Sequence, residues 1–346
     1  MVEKRENEID TLKGIGILFV IASHCDANLR LFFSYPFSFT MPLFFWVAGY
    51  FLTNRTSFPV FVGKKFNRLM LSYWLWCVLS ADVFFIQTRL HNPLAYFPIP
   101  AELWRMFLLS SSLLWMPPVL NLPLWFFPAL FAVLLLLYPC VGWSGKKLGW
   151  SMAALFVLTL VWQSFIPREW IFSCRVFPPA LFFGLGGIYA ARNKTFLRNV
   201  LSVPMTLILL ASGFGLAFGH WADVFDASSP LFFMAAVSSI LGWYGAAMRL
   251  DCRLLQFAGR HSLILLGCHV PVLQVVKVLL FGYTNKGADT SDLTDNIAEF
   301  ICVSVIAFAI AGGYAAIARK LPRAKYGVAA VAVAVAVFGY YVYKSP

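Results

Sequence analysis

The segment IDTLKGIGILFVIASHCD, Ile9 to Asp26, opens with charge at Asp10 and Lys13, continues as an apolar run, and closes on His24 and Asp26. Its middle reads as a membrane helix, yet an imidazole sits near its end. Moving a polar, titratable ring away from water costs free energy unless a partner offsets it. Ionisable side chains inside membrane segments are rare and tend to mark function, so His24 is a candidate site residue.

Working outward, the remainder of the chain supports a membrane setting. Of its 346 residues 60% are hydrophobic and 17% aromatic, only 12% are charged, and mean hydropathy is +0.77. A soluble domain carries about 25% charged residues. Apolar runs long enough to cross roughly 30 Å of hydrocarbon recur near 12–31, 36–54, 69–88, 122–143, 148–166, 176–191, 199–219, 230–248, 262–282, 297–318 and 327–343. The fold class expected is all-α, a polytopic transmembrane helical bundle with ten core helices and an eleventh at the C-terminal end. The first ten residues, MVEKRENEID, carry four acids and no signal-peptide pattern, so the first helix is expected to be retained.

The net charge of +12 would suggest nucleic acid in a soluble protein. Here the basic residues concentrate in alternate connecting segments, at 55–68, 146–147, 192–198, 249–260 and 319–325. By the positive-inside rule these segments and the N-terminus face the cytoplasm, and no nucleic-acid partner is expected. Part of the surplus is available for anionic lipid heads or an anionic substrate. Seven cysteines, at 25, 77, 140, 174, 252, 268 and 302, show no CxxC spacing and read as buried thiols. The segment 89–121, rich in proline and aromatics, reads as interfacial or re-entrant, and 283–296 as a solvated acidic loop.

Lys13 and His24 lie 11 residues apart. At about 100° per residue this is three turns plus about 20°, so both fall on one helix face, about 16 Å apart along the axis. Gly14 and Gly16 permit close approach of another group near the Lys13 end. The spacing suits one helix touching two parts of an extended ligand. It equally suits a snorkelling lysine and a histidine bonded to a neighbouring helix. In VGKKFNRLMLSYW, Lys65 and Arg68 are three residues apart on one helical face, as a phosphate site or a topology-setting loop would have them. Further on, FAGRHSLILLGCHVPVL places Arg260, His261 and Ser262 at the start of a helix and a second intramembrane histidine, His269, two turns in.

Two carboxylates are available to orient His24. Asp26 projects from the far side of its helix, which leaves Asp82, inside the third helix, as the better placed. His24–Cys25 and Cys268–His269 superficially offer a zinc ligand set. Adjacent helical side chains diverge by about 100°, so no metal is expected.

In order along the chain, Asp10–Leu12–Lys13–Gly14 leading to His24, MPLFFWVAGYFL, KKFNRLMLSYW, LWFFPALF (124–131, with Trp125) and GRHSLILLGCHVPV (259–272) resemble the membrane acyltransferase family 3, bacterial enzymes that O-acylate carbohydrates. Among its branches the chain looks most like the fucose 4-O-acetylase-related group. The resemblance covers about 5–320 and implies an acyltransferase membrane domain over 1–320, with 321–346 an added C-terminal helix. It implies acetyl-CoA as donor on the cytoplasmic side and a sugar hydroxyl as acceptor, in a surface polysaccharide or its precursor. The setting implied is the bacterial cytoplasmic (inner) membrane, with a homo-oligomer as a further partner class. His24 and His269 are then the catalytic candidates, with Lys13, Lys65, Arg68 and Arg260 holding CoA phosphates and Asp10, Asp82, Trp125 and Ser262 supporting. Two departures are Ala48, where serine is frequent, and the run at 327–343. The competing class is a transporter or flippase of lipid-linked sugar, with His24 and His269 as a proton relay.

Overall fold

The computed structural model describes residues 6–25, 30–91, 121–165, 172–218, 224–281 and 293–320. Asp26, nearly all of the expected interfacial segment, most of the acidic loop and the expected eleventh helix lie outside these residues. The elements in chain order are α1 (Asn7–His24), α2 (Arg30–Tyr50), α3 (Phe58–His91), a 3-10 turn (Leu122–Trp125), α4 (Phe126–Leu137), a second 3-10 turn (Tyr138–Gly142), α5 (Gly145–Phe165) and α6 (Phe172–Arg192). Then follow α7 (Lys194–Val200), α8 (Val203–Phe218), α9 (Pro230–Ala247), α10 (Arg253–Arg260), α11 (Ser262–Phe281) and α12 (Leu293–Lys320). No strand occurs among the described residues. Ten of the eleven expected segments are helical; the first starts five residues earlier than expected, and the third continues unbroken from the Lys65 segment.

Among the described residues, five stretches are long and apolar enough to cross a membrane alone: Leu122–Gly142, Gly145–Phe165, Pro230–Ala247, Ser262–Leu280 and Ile297–Ala316. A sixth forms if α7 and α8, bent by 89°, are taken together. α1 carries Glu8, Asp10 and Lys13, and α2 carries Pro36 and Pro42, so neither is built to face lipid alone. Instead α1 is central, packed against α2, α9, α10, α11 and α12. Lipid-type surface lies on outer helices: Trp150 and Phe165 of α5 are 78% and 77% exposed, and Ile301 and Val305 of α12 are also exposed. Apolar side chains left uncovered on a helix that is apolar all round are what a bilayer solvates. The chain is a multi-pass membrane protein.

Two glycine-mediated crossings set the frame. A Cβ on Gly14 would lie 2.0 Å from the Leu255 carbonyl oxygen, and one on Gly259 1.8 Å from that of Asp10, so α1 and α10 meet backbone to backbone. Gly49 against Gly184, and Gly187 against the Trp46 carbonyl, do the same for α2 and α6. Small residues allow this approach where lipid supplies no hydrophobic drive between helices. At the N-terminus of α1, Glu6 pairs with Lys194 at 2.7 Å and Glu8 with Arg198 at 2.5 Å. Burial would raise the Glu8 carboxyl, but a backbone hydrogen bond and the Arg198 and Lys194 charges hold it below the ordinary value. These acids also sit where the helix dipole favours negative charge.

Candidate active site

α1 has two functional ends. At the first, Lys13, Lys65, Arg68, Arg260, His261 and Ser262 line one cavity of about 300 Å³. Each arrives from a different place: Lys13 from α1, the Lys65–Arg68 pair from the first turns of α3, and Arg260 through Ser262 from the joint between α10 and α11. Lys13 Nζ is 2.7 Å from Asp10 Oδ1, one helical turn earlier. Arg260 Nε donates to the Gln256 carbonyl at 3.0 Å, which fixes the stem of its side chain and leaves the rest of the fork to the cavity. Burial, and then the Arg68 charge, pull the Lys65 ammonium below the ordinary lysine value. Four cations around one space give it a positive potential.

At the second end, the His24 and His269 rings stand 5.0 Å apart, inclined by 74°. Among the described residues, neither ring is hydrogen-bonded to a carboxylate. His24 Nδ1 is 2.8 Å from the Val20 carbonyl and His269 Nδ1 3.1 Å from the Leu265 carbonyl, each one turn back in its own helix. A carbonyl only accepts, so each Nδ1 carries the proton and each Nε2 keeps its lone pair. His269 Nε2 is buried with no hydrogen-bond partner among the described residues. Ser23 Oγ bonds to the same Val20 carbonyl at 2.8 Å. The sequence leaves open which group orients His24, with Asp82 the better placed of two carboxylates; among the described residues Asp82 makes no hydrogen bond to either histidine, and each Nδ1 faces the carbonyl at i−4. Nor do three His, Cys, Asp or Glu side chains converge on a metal-sized space among the described residues.

His24 lines a second cavity of about 190 Å³ with Val20, Ser23, Thr40, Trp125 and Phe225. Trp125 and Phe225 close one wall, their rings 4.7 Å apart. Phe225 is in turn tied down through its carbonyl, which accepts from Arg175 Nε at 2.7 Å. Arg175 is 4% exposed and faces Asp226 at 3.6 Å.

Of the residues expected from sequence, Lys13, Lys65, Arg68, Arg260 and Ser262 share one cavity, with Asp10 on Lys13. His24 meets His269, and Trp125 lines the His24 cavity. Asp82 stays apart. Sequence reasoning missed Arg175 and Asn121. The second was signalled by Pro271: a proline inside a helix leaves the carbonyl four residues earlier without its donor, here Gly267. Asn121 Nδ2 supplies that donor at 3.0 Å.

A polytopic helical bundle with a basic cavity near one end of α1 and, about 16 Å along the same helix, a half-buried His24 facing a buried His269 has a layout compatible with a membrane enzyme. The sequence model described as an acyltransferase domain matches residues 6–316, and the chain belongs to this acyltransferase 3 family. It is a membrane acyltransferase. No curated protein and no solved structure matches it.

Proposed function

We propose that the protein moves an acetyl group from acetyl-CoA to a sugar hydroxyl of a surface polysaccharide or its precursor. The setting is the bacterial cytoplasmic membrane, with the N-terminus and the basic cavity on the cytoplasmic side. The observation that carries the reading is the histidine pair: two imidazoles, each held at Nδ1 by its own helix, with a basic Nε2 left over. Lys13, Lys65, Arg68 and Arg260 take the CoA phosphates, Arg by planar bidentate bonds and Lys as point charges. Asp10 holds Lys13, and Ser262 offers a hydroxyl at the cavity wall.

In the transfer itself, His24 Nε2 accepts the proton of the acceptor hydroxyl as that oxygen attacks the thioester carbonyl. The new C–O bond forms, the C–S bond breaks, and the CoA thiolate takes up the proton. His269, beside His24, shares the proton while the pair is charged. Thr40, Ser23 and the Trp125–Phe225 wall suit an acceptor that has both hydroxyls and an apolar face.

The test is reconstitution of the purified protein in lipid vesicles with acetyl-CoA and extracted surface-glycan precursors. The expected result is release of CoA thiol only when acceptor is present, with one acetyl ester formed per thiol. Movement of glycan precursor across the bilayer without thiol release would overturn the reading in favour of a flippase.

A further inference from the structure

Asn121 sits immediately before the 3-10 turn that leads to Trp125, and it is fully buried. Its amide has two acceptors: Ser80 Oγ of α3 at 2.9 Å and the Gly267 carbonyl of α11 at 3.0 Å. Its Oδ1 is buried without a partner among the described residues. The Gly267 carbonyl would ordinarily accept from the backbone N–H of residue 271, but that residue is proline. The helix turn from Gly267 to Pro271 is therefore held from outside, and His269 lies in its middle.

The surrounding contacts make this bond matter. A Cβ on Gly267 would overlap the Trp76 indole at 2.2 Å, so Trp76 presses on the same turn. Ser80 Oγ, which accepts from Asn121, donates to the Trp76 carbonyl at 2.6 Å. A helix that lacks one rung bends at that point unless a neighbour fixes it. The His269 ring stands 5.0 Å from the His24 ring, so a small change of that bend moves one imidazole relative to the other.

We infer that Asn121 is a positioning residue for the histidine pair, bracing the Pro271-broken turn of α11 so that the His269 ring stays beside His24. The inference rests on the proposed role of that pair in transfer. Asn121 does not itself react. It replaces the backbone donor that Pro271 removes, and through Ser80 and the 3-10 turn it joins the turn to α3 and to the His24 cavity wall.

The experiment is a double-mutant cycle between Asn121→Ala and Pro271→Ala in vesicles, read as kcat, KM for acetyl-CoA and Tm. Alanine at 271 returns the missing N–H, so the Gly267 carbonyl no longer needs Asn121. In the wild-type background Asn121→Ala is expected to lower kcat about ten- to a hundredfold, the range set by leaving a buried acceptor unpaired. KM for acetyl-CoA should stay within about twofold. In the Pro271→Ala background the same change should cost kcat and Tm much less. Asn121→Asp, which keeps the shape and loses the donor, should follow alanine. An equal loss in both backgrounds, or a rise in KM alone, overturns the inference. The proposed function fails separately: His24→Ala with full transfer activity would remove it, while the Asn121–Pro271 coupling in Tm would still report the brace. Absence of that coupling overturns the brace even if His24→Ala is inactive.

Discussion

The two ends of α1 use opposite means to hold polar groups in a membrane protein. At the Lys13 end charge answers charge: Asp10 pairs with Lys13, and three further cations surround a space left for an anion. At the His24 end no charged side chain among the described residues binds either ring, and both imidazoles face backbone carbonyls one turn away. The first arrangement suits binding, since it gathers four cations around one cavity. The second suits chemistry, since a neutral imidazole keeps one nitrogen basic. Substitutions at the two ends should therefore fail in different kinetic constants.

The largest effect is expected from His24→Ala. Loss of a general base lowers rate by about 10²–10⁴, and that loss should fall on kcat with KM for acetyl-CoA nearly unchanged. Initial rates of thiol release on folded, vesicle-inserted protein measure it. Wild-type turnover would break the division between the ends. Next is the Lys65→Ala, Arg68→Ala double variant at the other end. It removes interactions present in both ground and transition states, so KM for acetyl-CoA should rise about 10- to 100-fold while kcat stays within about threefold. Unchanged donor kinetics would remove the phosphate role from this pair.

What the sequence made legible follows from periodicity. Lys13 and His24 share a face because eleven residues complete three turns, and the glycines of α1 did mark a close crossing, with Leu255. His269 stood out because an ionisable residue in an apolar run is rare. What orients His24 was not legible, since a carbonyl of its own helix, that of Val20, is the partner its Nδ1 faces. Asn121 and Arg175 were hidden for a different reason: each acts across more than a hundred or about fifty residues of chain, on Gly267 and on Phe225. A proline hinted only at Asn121, since Pro271 announces a Gly267 carbonyl that some distant donor must satisfy.

That rule has a second instance away from the histidines. Pro179 inside α6 leaves the Arg175 carbonyl without its helical donor, and Gln163 Nε2 of α5 supplies one at 2.8 Å. Gln163→Leu should cost about 1–3 kcal/mol of stability by leaving that buried acceptor unpaired. Thermal unfolding in vesicles measures the loss. The bond is to the Arg175 backbone carbonyl and not to the guanidinium that holds Phe225, so kcat should change by less than about threefold. A loss of kcat as large as that expected for Asn121→Ala would mean that any proline brace in the bundle disturbs catalysis, and the special place of the α11 turn would go.

The smallest effect, a pH profile, sharpens the charge side of the comparison. Lys65 sits ahead of the apolar part of α3, and burial followed by the Arg68 charge lowers its pKa. Its charged form is therefore disfavoured until an anion arrives, and anion binding raises the pKa again. The sign follows: below the lowered value Lys65 is charged and KM for acetyl-CoA is flat. As pH rises through that value KM should climb, by no more than about tenfold per pH unit for a single proton. Lys65→Arg keeps its charge throughout this range, because guanidinium does not titrate there, and should flatten the rise. If Lys65→Arg left the alkaline rise intact, Lys65 would not be the titrating group, and the anion site would not centre on the first turns of α3.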